Sequence, residues 1–187
     1  MEPSGLDLGR PCGLTTGTVP GTPRNPSLSS AALGAEGTGA SMLRGHARAK
    51  VDSKGRLKIP SEFLETFLEL SGEGRRVFVT SRDGQRALIY PLPVWEQLEA
   101  KILELPTTRP SVDLYLRTTS FWGRESTVDA SGRVLVHPLL REAASIYGDV
   151  SVFGKQQILE VCDFELFRHS PPVLSPQALT ELAEFGI

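Results

Sequence analysis

The chain has 187 residues, 40% hydrophobic and 22% charged, with a formal net charge of −2. That length and apolar content permit one domain with a real core. The near-neutral balance excludes a protein that is cationic over its whole surface. No stretch is long and apolar enough to span a bilayer as a helix. The N-terminus lacks the basic-then-apolar order of a secretory signal. Two cysteines, Cys12 and Cys162, do not make a disulfide framework. A cytoplasmic protein with reduced thiols is the expectation.

Residues 1–41 are mostly Gly, Ser, Thr and Pro. Such a segment cannot bury enough surface to offset its ordering entropy. It is expected to be a disordered leader, or the product of a start assigned too far upstream, with Met42 as the alternative start. Ala47–Val51 suits a strand that turns at Ser53-Lys54-Gly55, where Gly55 can take a positive φ and Asp52 can bond the turn amides. Arg56–Ile59 alternates as a return strand. Pro60 suits a first helical turn, Phe63, Leu64, Phe67 and Leu68 share one helical face, and Ser71-Gly72 ends that helix. Val77–Val79 and Ala87–Tyr90 read as strands around the hairpin signal Asp83-Gly84. Val94–Leu105 and Val112–Phe121 read as two helices separated by Pro106–Pro110. Ser126–Val128, Arg133–Val136, a helix at Leu139–Ile146 stopped by Gly148, Val150–Phe153 and Ile158–Cys162 then repeat the first pattern. Pro176–Phe185 reads as a short amphipathic helix.

One phrase is said twice. Val51-Asp52-Ser53-Lys54-Gly55-Arg56 returns as Val128-Asp129-Ala130-Ser131-Gly132-Arg133, and Asp, Gly and Arg recur at one constant offset (129 − 52 = 133 − 56). A repeat of this length is one supersecondary unit used twice, and such a unit rarely buries its apolar face alone. The chain therefore divides into the leader 1–41, a repeat at 46–93, a helical connector at 94–122, a second repeat at 123–166 and a tail at 167–187.

The charge is uneven. Arg44, Arg48, Lys50, Lys54, Arg56 and Lys58 face a single nearby acid, Asp52. A local basic turn on a neutral protein is what a nucleic-acid surface requires, since phosphate contacts supply most of the affinity. A solvated strand edge, where Lys and Arg discourage aggregation, fits the same residues. Arg56 flanks the turn glycine with Lys54, and its planar fork suits a phosphate or a guanine edge. Arg133 occupies the matching place in a less basic second turn. Asp52 and Asp129 also fit as turn-capping groups that hold Arg56 and Arg133 in internal salt bridges.

Nothing points to catalysis or to a cofactor. His46, His137 and His169 lack metal-ligand spacing, and Cys162 falls within an apolar strand as a buried small hydrophobe. Gly72-Glu73-Gly74 lacks the lysine and hydroxyl of a phosphate loop. Trp95 and Trp122 suit core positions.

Met42-Leu43-Arg44-Gly45-His46, Asp52-Ser53-Lys54-Gly55-Arg56-Leu57, Tyr90-Pro91-Leu92-Pro93-Val94-Trp95-Glu96 and Asp129-Ala130-Ser131-Gly132-Arg133, in this order, resemble the MraZ family of bacterial transcriptional regulators. The resemblance runs from Met42 to about Phe167. It implies an α+β, mainly β fold: two tandem SpoVT-AbrB-type repeats forming a pseudo-symmetric swapped-hairpin β-barrel with peripheral helices. It implies a ring-shaped homo-oligomer that binds short direct repeats in double-stranded DNA upstream of the division and cell-wall gene cluster, its own promoter included, in the cytoplasm and on the nucleoid. The resemblance carries the family's first-turn Lys and Arg to Lys54 and Arg56, as DNA contacts, and the Asp and Arg of its second motif to Asp129 and Arg133. The basic run adds Arg44, Arg48 and Lys58 to the expected contacts beside Arg133, and Asp52, Gly55, Asp129 and Gly132 are expected to build the turns. The chain departs from the family where Leu64 replaces an arginine and Cys162 a tryptophan. An antitoxin-like interaction module of the same fold, acting through the Glu-rich C-terminal helix, is the alternative.

Overall fold

The computed structural model describes residues 41–168 and 171–187. The leader up to residue 40, with Cys12, and His169 lie outside the described residues. Eight strands form one antiparallel sheet: β1 Leu43–Val51, β2 Arg56–Lys58, β3 Arg76–Thr80, β4 Ala87–Pro91, β5 Arg124–Thr127, β6 Arg133–Leu135, β7 Gly148–Gln156 and β8 Ile158–Asp163. Helices α1 Ser61–Ser71, α2 Leu92–Leu103, α3 Pro110–Trp122, α4 Pro138–Ala143, α5 Glu165–Arg168 and α6 Pro176–Glu184 connect or flank them.

The strand order is β5-β3-β4-β8-β7-β1-β2-β6. The end strands β5 and β6 adjoin through the turn at 128–132, so the sheet curls into a nearly closed barrel. Exchanging the repeats (β1 for β5, β2 for β6, β3 for β7, β4 for β8) reproduces this cyclic order. Four of the seven ladders join one repeat to the other: β1 to β7, β2 to β6, β3 to β5 and β4 to β8. Neither repeat can satisfy its strand edges alone, and the pairing is that of swapped hairpins. At the centre of the pseudo-dyad Leu57 opposes Val134, and both are fully buried. They belong to one core with Ile59, Phe67, Val136 and Leu140. Each such side chain contributes about 1.5–3 kcal/mol of transfer free energy.

Several elements differ in length from the sequence reading. β1 begins at Leu43, not Ala47, and β7 runs from Gly148 to Gln156, because the two pair without a break from Leu43↔Gln156 to Val51↔Gly148. β5 starts at Arg124, where it pairs with Val79 of β3. α2 and α3 begin at Leu92 and Pro110, with Pro93 and Pro110 in first-turn positions that need no amide hydrogen. α4 ends at Ala143 rather than Ile146. Ser145 adopts a left-handed conformation with positive φ. The Ile146 amide donates back to the Arg141 carbonyl at 2.9 Å, closing a Schellman turn without a glycine. The connector covers the sheet through Trp95, stacked on Phe78 at 4.4 Å and edge-on to Tyr90 at 5.0 Å.

Candidate nucleic-acid interface

The duplicated phrase folds into two near-identical turns. Asp52 Oδ1 accepts from the amides of Lys54 (3.0 Å) and Arg56 (2.9 Å). Asp129 Oδ1 accepts from Ser131 (2.8 Å) and Arg133 (2.9 Å). Backbone bonds from Gly55 to Asp52 and from Gly132 to Asp129, both 2.9 Å, close the turns. Gly55 and Gly132 both sit in the left-handed region at positive φ, where a side chain would be strained. These local bonds explain the spacing Asp-x-x-Gly-Arg: the carboxylate must reach two and four residues ahead, and the residue before Arg must be left-handed.

Asp52 Oδ2 then binds arginine. Arg56 Nε and Nη2 each lie 2.8 Å from it. Arg133 Nη1 reaches the same oxygen from the other repeat at 3.8 Å, while Arg133 Nε lies 3.4 Å from Asp129 Oδ2. One carboxylate therefore orients both motif arginines across the pseudo-dyad. Hydrogen bonding by the Arg56 amide, and then by its guanidinium, holds Asp52 below the usual carboxylate range, against the opposing effect of desolvation. Asp52 is a charged anchor at neutral pH.

The other cations divide by partner. Arg48 pairs with Asp149 at 2.7 Å and lies 4.3 Å over the Phe164 ring. Lys58 is exposed, its ammonium donating to the Ser131 carbonyl of the second turn. Arg44 is exposed near Met42 Sδ. Lys54 is exposed at the first turn and enters no ion pair among the described residues. The β2–β6 register places Leu57 and Val134 inward and Arg56, Lys58, Arg133 and Leu135 on the outer face. Lys50, Arg56, Lys58 and Arg133, with Asp52 and Ser131, line an open hollow of about 470 Å³. Lys50 belongs to the basic run but not to the expected contacts; its signal is its place two residues beyond Arg48 on the same strand face.

The two sides of the dyad are unlike. At the repeat offset, Arg44, Arg48, Lys50, Lys54 and Lys58 are matched by Phe121, Glu125, Thr127, Ser131 and Leu135; of the six, only Arg56 keeps a basic counterpart, Arg133. The duplicated scaffold carries a cationic face on one side only.

His46, His137 and Cys162 make structural contacts. His137 Nε2 donates to the Trp122 carbonyl at 2.6 Å, and the His46 ring lies tilted against Phe153 at 4.5 Å. Burial pushes the Cys162 thiol up to about 11, which removes its thiolate at neutral pH.

Residues 42–118 match the family described as "MraZ protein, putative antitoxin-like". Transcriptional regulator MraZ of Acidobacterium capsulatum is 41% identical over 148 residues, covering 78% of this chain and 100% of the relative. That of Koribacter versatilis is 36% identical, with 78% and 100% covered. That of Chromobacterium violaceum is 36% identical over 124 residues, with 66% and 82% covered. With this identity along the whole length of two such relatives, the chain belongs to the MraZ family.

Proposed function

We propose that the protein is a sequence-specific, DNA-binding transcriptional regulator whose contact surface is the cationic face around Lys54 and Arg56. The observation that carries this reading is the one-sided placement of cations on a duplicated scaffold of net charge −2. Lys54, Lys58 and Arg44 are phosphate contacts, exposed and without an acid partner among the described residues. Arg56 has a further role. Two of its five donors are held by Asp52, which fixes the guanidinium and leaves Nη1 without an acid partner among the described residues, available for a base edge. Arg48 and Arg133, paired with acids, neutralise less and chiefly shape the face.

One such turn binds weakly. A homo-oligomeric ring presenting several of them to short direct repeats multiplies apparent affinity without new contacts, provided the repeat spacing matches the subunits. The proposed targets are repeats upstream of the division and cell-wall genes, including the protein's own promoter, and the proposed location is the cytoplasm and nucleoid.

The test is a gel shift with the protein's own upstream DNA, comparing the wild type with Arg56→Ala, alongside native mass spectrometry. Specific binding should disappear in the variant while subunit number is preserved. Loss of the oligomer in Arg56→Ala would make the residue structural. A wild type that ignores upstream DNA would favour the antitoxin-like alternative.

A further inference from the structure

The first turn is touched by a residue of the second repeat that the duplicated motif does not contain. Arg141 lies in α4, and its Nη1 stands where a side chain at Gly55 would begin. Its Nε is buried without a hydrogen-bond partner, and its guanidinium lies 5.6 Å from the centre of the Tyr147 ring. Among the described residues no acid pairs with it. The motif arginines differ in having acid partners: Arg56 and Arg133 both reach Asp52, although the Arg133 Nε is likewise buried without a hydrogen bond.

At the repeat offset, the equivalent position in the first repeat is Leu64. It covers Gly132 in the same way, with both methyls 3.0 Å from where a side chain there would start. Each helix after a return strand thus packs one side chain onto the other repeat's turn glycine. One of these lids is cationic and the other apolar. The cationic lid sits over the turn that also carries Lys54.

A partly desolvated guanidinium without a counter-charge is unfavourable unless an anion completes it. We propose that Arg141 and Lys54 together bind one phosphodiester of the DNA backbone at Gly55, so that each functional tip is a composite of both repeats. The glycine permits this by leaving room for the guanidinium on its open side. The inference rests on the DNA-binding reading above and adds a residue and a ligand chemistry to it. A phosphate contact carries no base information, so its effect is the same for every sequence.

The experiment uses the full chain with Arg141→Gln and Arg141→Lys, titrated by fluorescence anisotropy against upstream DNA and an unrelated duplex of equal length over a range of KCl. Neutralising one phosphate changes the log–log salt slope by about 0.9, worth roughly fivefold in affinity at ~0.15 M salt for each tip engaged. Arg141→Gln should lose that slope and affinity equally on both duplexes, and Arg141→Lys should retain most of both. Wild-type slope and affinity in Arg141→Gln overturn the inference while leaving DNA binding intact. A wild type that binds neither duplex overturns both readings. If Arg141→Gln fails to fold, Arg141→Met decides: it keeps the apolar stem and removes the charge, and a wild-type salt slope and affinity on both duplexes overturn the proposal.

Discussion

Phe67→Ala tests whether the two repeats share one core. Phe67 lies on α1 of the first repeat and is fully buried in the cluster that also holds Val134, Val136 and Leu140 of the second. Truncating a buried phenylalanine costs about 3–5 kcal/mol, because the lost transfer free energy is joined by a cavity that the close-packed surroundings only partly fill. The barrel between Leu43 and Asp163 spans roughly 120 residues, and an unfolding entropy of about 2.1 cal/mol/K per residue gives it ~0.25 kcal/mol/K. A loss of ~4 kcal/mol therefore lowers Tm by about 15 °C. Differential scanning calorimetry should record a single transition moved down by that amount. Fluorescence of Trp95, packed on Phe78, and of Trp122, beside the core, should follow the same curve. Two separated transitions, with the upper one at the wild-type temperature, would refute a shared barrel. A shift of only a degree or two would show that Phe67 does not fill the space assigned to it.

Two further outcomes concern the cationic face. Lys54→Ala should leave Tm unchanged, since the side chain is exposed and enters no ion pair among the described residues. It should also lower the salt slope of DNA binding, by at most about 0.9 per engaged tip because Lys54 shares its phosphate with Arg141; anisotropy at several salt concentrations and a melting curve check both. Asp52→Asn keeps the amide bonds of the turn and removes the charge that holds Arg56 and Arg133. The folded carboxyl lies below its ordinary value of 3.8, so its stabilisation is present above that pH and is lost as pH falls through the folded value. The Tm gap between wild type and Asp52→Asn should be constant at neutral pH and close below about pH 3.8; a gap that persists in acid would assign the effect to shape rather than charge.

A single carboxylate connects fold and function here. Asp52 uses one oxygen to close its own turn and the other to gather an arginine from each repeat. The guanidinium of Arg56 is thereby oriented before any ligand arrives, which lowers the side-chain entropy lost on binding. The same device at Asp129 reaches its own Arg133 only at 3.4 Å, and the turn beside it carries Ser131 instead of lysine. Duplication supplies the scaffold, and divergence of the exposed residues confines the charge to one side.

The turns are legible from the chain alone because every bond that makes them is local: Asp52 and Asp129 each reach amides two and four positions ahead, and Gly55 and Gly132 supply the left-handed corner. Helix starts at prolines and the alternation of β2 and β6 are legible for the same local reason. Helix α4 reads too long in the sequence because its stop is a left-handed Ser145, a conformation that no residue preference announces. The Arg48–Asp149 pair, the reach of Arg133 to Asp52 and the guanidinium of Arg141 on Gly55 are invisible there. Each joins a residue of one repeat to a residue of the other, and only the register of swapped hairpins brings them together. Local hydrogen bonding determined the shape of each tip; which charges meet there, and which stay open to a ligand, was decided when the two halves closed on one core.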